Sequence, residues 1–86
     1  NTMVTCSINP YHDIADESKR DAIVKILTLL SEEAQPEFAL IKHSGAGSRS
    51  EQILGELRMF GLIQPSVRDG FFALTDRGAY ALNEMK

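Results

Sequence analysis

Apolar side chains recur at three- and four-residue spacing through Ala22, Ile23, Ile26, Leu27 and Leu30. That spacing lays them along one helical face, so a helix is expected from about Asp16 or Ser18 to about Ser31. Ser18 with Asp21 resembles a capping pair, and Asp16 is the alternative cap. Pro36 suits the first turn of a helix, where its missing N–H is not needed, and a second helix is predicted over 36–42 with Phe38, Leu40 and Ile41 available for burial. Ile53, Leu54, Leu57 and Phe60 form the stripe of a third helix, predicted over 48–60. Ser48 and Glu51 read as its capping box, and Gly61 stands where a left-handed residue ends a helix.

Beyond Gly61 the period changes. Leu62-Ile63 is a short apolar run closed by Pro65, Asp69-Gly70 signals a turn, and 71–75 returns as a second strand. Thr75 is placed to cap a last helix, predicted over 76–85, with Ala79 and Leu82 facing the core. Upstream, Val4, Cys6 and Ile8 share one parity, which suggests a short strand before Asn9-Pro10. A hairpin of this size cannot stand alone in water and must lean on the helices. The expected architecture is therefore α+β: an arm over 1–17, then one domain over 18–86.

Leu57-Arg58-Met59-Phe60-Gly61-Leu62-Ile63, followed by Phe72-Ala73-Leu74-Thr75-Asp76-Arg77-Gly78 and Leu82, resembles the tail of the winged helix-turn-helix superfamily of bacterial and archaeal transcription regulators. The motif covers 57–82, and the order of helices extends the likeness back to about residue 18. The resemblance implies a three-helix core, a two-stranded β-wing over 62–75, a C-terminal helix and a recognition helix over 48–60. Gly61, Leu62, Ile63, Leu74, Thr75 and Gly78 carry that resemblance through architecture: a helix exit, a pinned strand, a cap, and a close approach of the last helix to its neighbour.

The function that the resemblance implies is sequence-specific binding of double-stranded DNA by a transcription regulator, and a dimer is expected because one small recognition helix supplies limited affinity. In that docking mode the start of the recognition helix enters the major groove. Arg49, Ser50, Gln52 and Glu56 are expected to face outward there. Arg can read guanine and Gln can read adenine, each by paired hydrogen bonds. Lys42 precedes the turn, Ser48 opens the helix, Arg58 lies near its end and Arg68 sits at the wing tip. The candidate DNA-binding residues are thus Lys42, Ser48, Arg49, Ser50, Gln52, Arg58 and Arg68. Glu56 is expected to repel phosphate. Gly55, unfavourable in mid-helix, is expected to mark a close approach to another helix, with a backbone of protein or nucleic acid as the alternative.

Charge cuts against a DNA partner. The net charge is −3. The acid excess lies in the first half, where Lys19, Arg20 and Lys25 face Asp13, Asp16, Glu17, Asp21, Glu32, Glu33 and Glu37. The second half is near neutral. Exposed Met59 and the Phe71-Phe72 pair, one of which must point away from the buried side of its strand, support an alternative: a winged-helix protein–protein or accessory domain of a larger assembly.

Other chemistries find little footing. Cys6, His12 and Asp13 do not have zinc-ligand spacing, and His12 and His43 have no matching partners, so no metal or cofactor is expected. Ser44-Gly45-Ala46-Gly47-Ser48 lacks the Lys-Ser/Thr of a phosphate loop. No nucleophile–base constellation is visible, and no enzymatic activity is expected. A single cysteine, no recognisable leader pattern and no long apolar run lead to the expectation of a cytoplasmic protein without a membrane partner.

Overall fold

The structure is a computed structural model and describes residues 16–85. The expected strand at Val4–Ile8 and all but the end of the 1–17 arm lie outside the described residues. Helix α1 (Glu17–Glu32) is followed by strand β1 (Gln35–Pro36), helix α2 (Glu37–Ser44), a 3₁₀ turn (Gly47–Arg49), helix α3 (Ser50–Met59), strands β2 (Ile63–Pro65) and β3 (Phe71–Leu74), and helix α4 (Asp76–Met85). The architecture is α+β, with four helices and one three-stranded antiparallel sheet among the described residues.

Helix α1 begins at Asp16, whose carboxylate accepts the Lys19 N–H at 3.1 Å. Of the two caps open to the sequence, Asp16 is the one used. The α1 stripe of Ala22, Ile23, Ile26, Leu27 and Leu30 is buried, as its spacing requires. It meets Leu40 of α2, Ile53, Leu54 and Leu57 of α3, Leu62 and Ile63, and Ala81, Leu82 and Met85 of α4 in one core. In α4 the buried face runs through Gly78, Ala81, Leu82 and Met85. Ala79 is exposed, contrary to expectation, because the α4 stripe is rotated by about one position.

The sheet has the order β1-β3-β2, one strand more than the two-stranded wing expected. Pro36 does not sit in the first turn of a helix. Its backbone is extended at φ −73° and ψ 158°, and it pairs with Phe71 while Gln35 pairs with Phe72. Proline is tolerated here because β1 is an edge strand. On the other side of β3, Ile63 pairs with Leu74, Gln64 with Ala73 and Pro65 with Phe72. The hairpin closes through Ser66 N–H to Phe71 O at 2.9 Å, with Gly70 at φ +83°.

Two local devices fix the hairpin against the helices. At the end of α3, Leu62 N–H bonds Leu57 O at 2.9 Å and Gly61 N–H bonds Arg58 O at 3.1 Å. With Gly61 at φ +79° this is a Schellman motif, and Leu57 and Leu62, both fully buried, supply its apolar contact. At the start of α4, Thr75 Oγ1 accepts the Gly78 N–H at 2.9 Å and shares its own proton between Gly61 O at 2.6 Å and Leu62 O at 3.0 Å. The threonine thus caps one helix and ties it to the exit of another. A Cβ on Gly78 would lie 2.1 Å from Leu62 O, so only glycine permits the observed approach. The close neighbour is the backbone leading into β2. Among the described residues no helix is long and apolar enough to cross a membrane.

Candidate functional site

The turn between α2 and α3 is built around two buried hydroxyls. Ser44 Oγ donates to Ile41 O at 2.9 Å, accepts the Ala46 N–H at 3.2 Å, and lies 3.0 Å from Ser50 Oγ. Either hydroxyl can donate between the two serines. Gly45, at φ +71°, ends α2, and Gly47, at φ +62°, opens the 3₁₀ turn. Arg49 N–H then bonds Ala46 O, and Ser50 N–H bonds Gly47 O. This turn runs directly into α3 and shifts its start to Ser50.

Three sequence expectations change at this helix. Ser48 does not cap α3: Arg49 holds the cap position in right-handed helical geometry with no side-chain capping bond. The 3₁₀ bonds, from the Arg49 and Ser50 N–H groups, already wind the chain at Ser48 into the helix, so Ser48 does not stand at its end. Ser50 faces inward, fully buried, and cannot contact a ligand. Glu56, expected to face outward, is partly buried. It forms an ion pair with Lys19 of α1 at 2.9 Å, which turns its carboxylate back onto the domain.

The outward face of α3 carries Gln52, Gly55 and Met59, spaced by three and four residues, with Ser48 exposed just ahead of them. Gly55 was expected to pack against another helix. It is exposed instead, and nothing lies within 4 Å of the point where a side chain would begin. Beside it a cleft of about 540 Å³ separates α3 from β2, lined by Gly55, Arg58, Met59, Ile63, Gln64 and Pro65 among others.

The candidate cations are held in different ways. Arg49 Nη2 bonds Asp16 Oδ2 at 2.9 Å, so the arginine at the head of α3 is joined to the cap of α1. That bond, together with the stronger effect of the Lys19 N–H, holds the Asp16 carboxyl below its ordinary value. Arg58 lies over the Phe72 ring, 5.4 Å from its centre, and Arg68 lies over Phe71 at 4.5 Å. Phe72 packs against the core, and Phe71, on the other face of β3 by strand alternation, is half-buried under its guanidinium. Lys42 is exposed in the last turn of α2.

Three contributors are absent from the sequence expectations: Asp16 and Lys19 as partners of Arg49 and Glu56, and Ser44 as the partner of Ser50. Each acts across the fold or through burial, and linear spacing carries no signal for either.

The structure brings Ser48, Arg49, Gln52 and Arg58 onto or beside α3 and sets Arg68 at the end of the adjoining hairpin. It excludes Ser50. No family model, curated protein or solved structure matches the chain.

Proposed function

We propose that this domain is a winged helix-turn-helix module that binds double-stranded DNA as part of a transcription regulator. In this reading α3 enters the major groove, and the β2–β3 hairpin reaches the flanking backbone or minor groove. Gln52 and Arg49 read base edges. Arg58, Arg68 and Lys42 contact phosphate, the first two with their guanidinium planes steadied on Phe72 and Phe71. One short helix offers few base contacts, so two copies on neighbouring half-sites supply the affinity.

The observation that carries this reading is Gly55. A glycine in mid-helix costs about 1 kcal/mol relative to alanine. Here the chain gains no internal packing in return, because the position is open to solvent. Its gain lies outside the chain: a helix bare at that point brings its backbone close to a partner. The residues around it, Gln52 and Arg58, are hydrogen-bonding side chains suited to a polar groove.

A second reading has its own observation. Met59 and Val67 are 72% and 107% exposed, one beside the cleft and the other on the hairpin loop. Such apolar exposure suits a protein partner. Fluorescence anisotropy with mixed duplex DNA at two salt concentrations separates the two. With about three phosphate-contacting cations in each copy, DNA binding predicts a log–log salt slope of about −3 for one copy and about −5 for two. No binding at low salt would refute the DNA reading and leave the protein-contact reading standing.

A further inference from the structure

Arg49 at the head of α3 and Glu56 on its flank are held by the start of α1. Asp16 takes Arg49 at 2.9 Å, and Lys19 takes Glu56 at 2.9 Å. The Asp16 carboxylate does two things at once. Its Oδ1 accepts the Lys19 N–H and caps α1, while its Oδ2 accepts from Arg49. An exposed ion pair of this kind adds little to stability, since both groups remain well solvated. The capping bond, however, fixes the carboxylate to the helix end, so it offers Arg49 an anchored acceptor rather than a freely rotating one.

We infer that Asp16 is a positioning residue for base readout: it orients the Arg49 guanidinium at the entrance of α3 and thereby sets sequence discrimination. This rests on the DNA-binding reading above. Arg49 uses one Nη2 proton on Asp16, and a guanidinium has five donors in a rigid fork. The remaining donors are free to meet a guanine edge in pairs. Orienting the side chain before contact removes part of the ordering cost that a free arginine incurs on binding. The carboxylate carries a second consequence. Its negative charge weakens attraction to phosphate wherever Arg49 is not satisfied by a base, so it acts against non-specific binding. Asp16 therefore lowers general affinity and raises selectivity, and the two effects are separable.

The test begins with selection of a preferred duplex from a random pool by the wild-type chain. Wild type, Asp16→Ser and Glu17→Gln are then titrated with the selected duplex and with a scrambled one. Serine is a good helix cap, so Asp16→Ser keeps α1 while removing the acceptor from Arg49. Glu17→Gln makes the same change in charge one residue away, at an exposed position that is not bonded to Arg49. The expected result is that Asp16→Ser binds the scrambled duplex more tightly, and its preference for the selected duplex falls by about tenfold, the scale of one paired base contact. Glu17→Gln raises affinity for both duplexes and leaves the preference unchanged. In an Arg49→Ala background, Asp16→Ser no longer alters the preference. Equal preference in wild type and Asp16→Ser, or an equal loss in Glu17→Gln, overturns this inference alone. A wild-type chain that enriches no duplex overturns the DNA reading and this inference with it.

Discussion

The same substitution at two helical glycines should have opposite effects, and the pair makes a demanding test of the packing described above. Gly55 lies on the open face of α3 with nothing within 4 Å of a future Cβ, and its φ is not positive. Alanine there removes only the conformational freedom of glycine, so Gly55→Ala should stabilise the domain by about 1 kcal/mol. For a chain of this size that is a rise of roughly 4–8 °C in the unfolding midpoint. Gly78 faces the opposite situation. Its Cβ would lie 2.1 Å from Leu62 O, 2.7 Å from Leu74 Cδ1 and 3.0 Å from Leu62 C. Two of those atoms are backbone, held by the Schellman turn and the Thr75 bonds, so α4 itself must move by roughly 1 Å or more. Overpacking of this kind costs about 1–3 kcal/mol. Displacement also weakens the Thr75 cap by about 1 kcal/mol, while the helical preference of alanine returns about 1 kcal/mol. The net expectation for Gly78→Ala is a loss of about 2 kcal/mol. Urea unfolding monitored by circular dichroism measures both variants on one scale. If the two substitutions shift stability in the same direction, the assignment of Gly55 to an open face and Gly78 to a backbone contact is wrong. The DNA reading adds a further expectation: Gly55→Ala, although more stable, should bind duplex DNA more weakly.

Other outcomes follow from single interactions. Ser44→Ala leaves the buried Ser50 hydroxyl and the Ala46 N–H without their partner, and should destabilise by about 1–3 kcal/mol in the same unfolding assay. Thr75→Val removes the α4 cap while keeping the shape, and should cost about 1–2 kcal/mol. Asp16 has a lowered carboxyl pKa, so its contribution to stability is present above the unfolded value near 3.8 and is lost as pH falls through the lower folded value. Carbon-detected NMR titration of that carboxyl should show its pKa rise in Arg49→Ala but stop short of the unfolded value, because the Lys19 N–H bond is the larger cause and survives. A pKa unmoved by Arg49→Ala would mean that the ion pair is not formed in solution.

What the sequence made legible was local. Gly61, Thr75 and Gly78 announce a helix exit, a cap and a close approach because each device depends on a residue type at a fixed offset from an apolar stripe. The core faces of α1 and α3 follow from spacing alone. Strand β1 was hidden because the two residues Gln35-Pro36 become a strand only by pairing with Phe72 and Phe71, far along the chain. The start of α3 was misplaced by two residues, since Ser48-Arg49-Ser50-Glu51 satisfies a capping pattern that the 3₁₀ turn displaces. That shift turned Ser50 from an outward residue into a buried one. Glu56 and Arg49 were assigned by helical position, and their true surroundings depend on Lys19 and Asp16, which the fold brings in from the first helix.

The central claim is that α3 and the adjoining hairpin together form the DNA-contacting surface. Amide NMR of the labelled chain during addition of duplex DNA tests it most directly. Salt-sensitive shifts are expected at Ser48, Arg49, Gln52, Gly55 and Met59 and at Arg68 to Phe71, with the outer face of α4 around Ala79 and Tyr80 unchanged. Shifts confined to α4, or none at low salt, would contradict it.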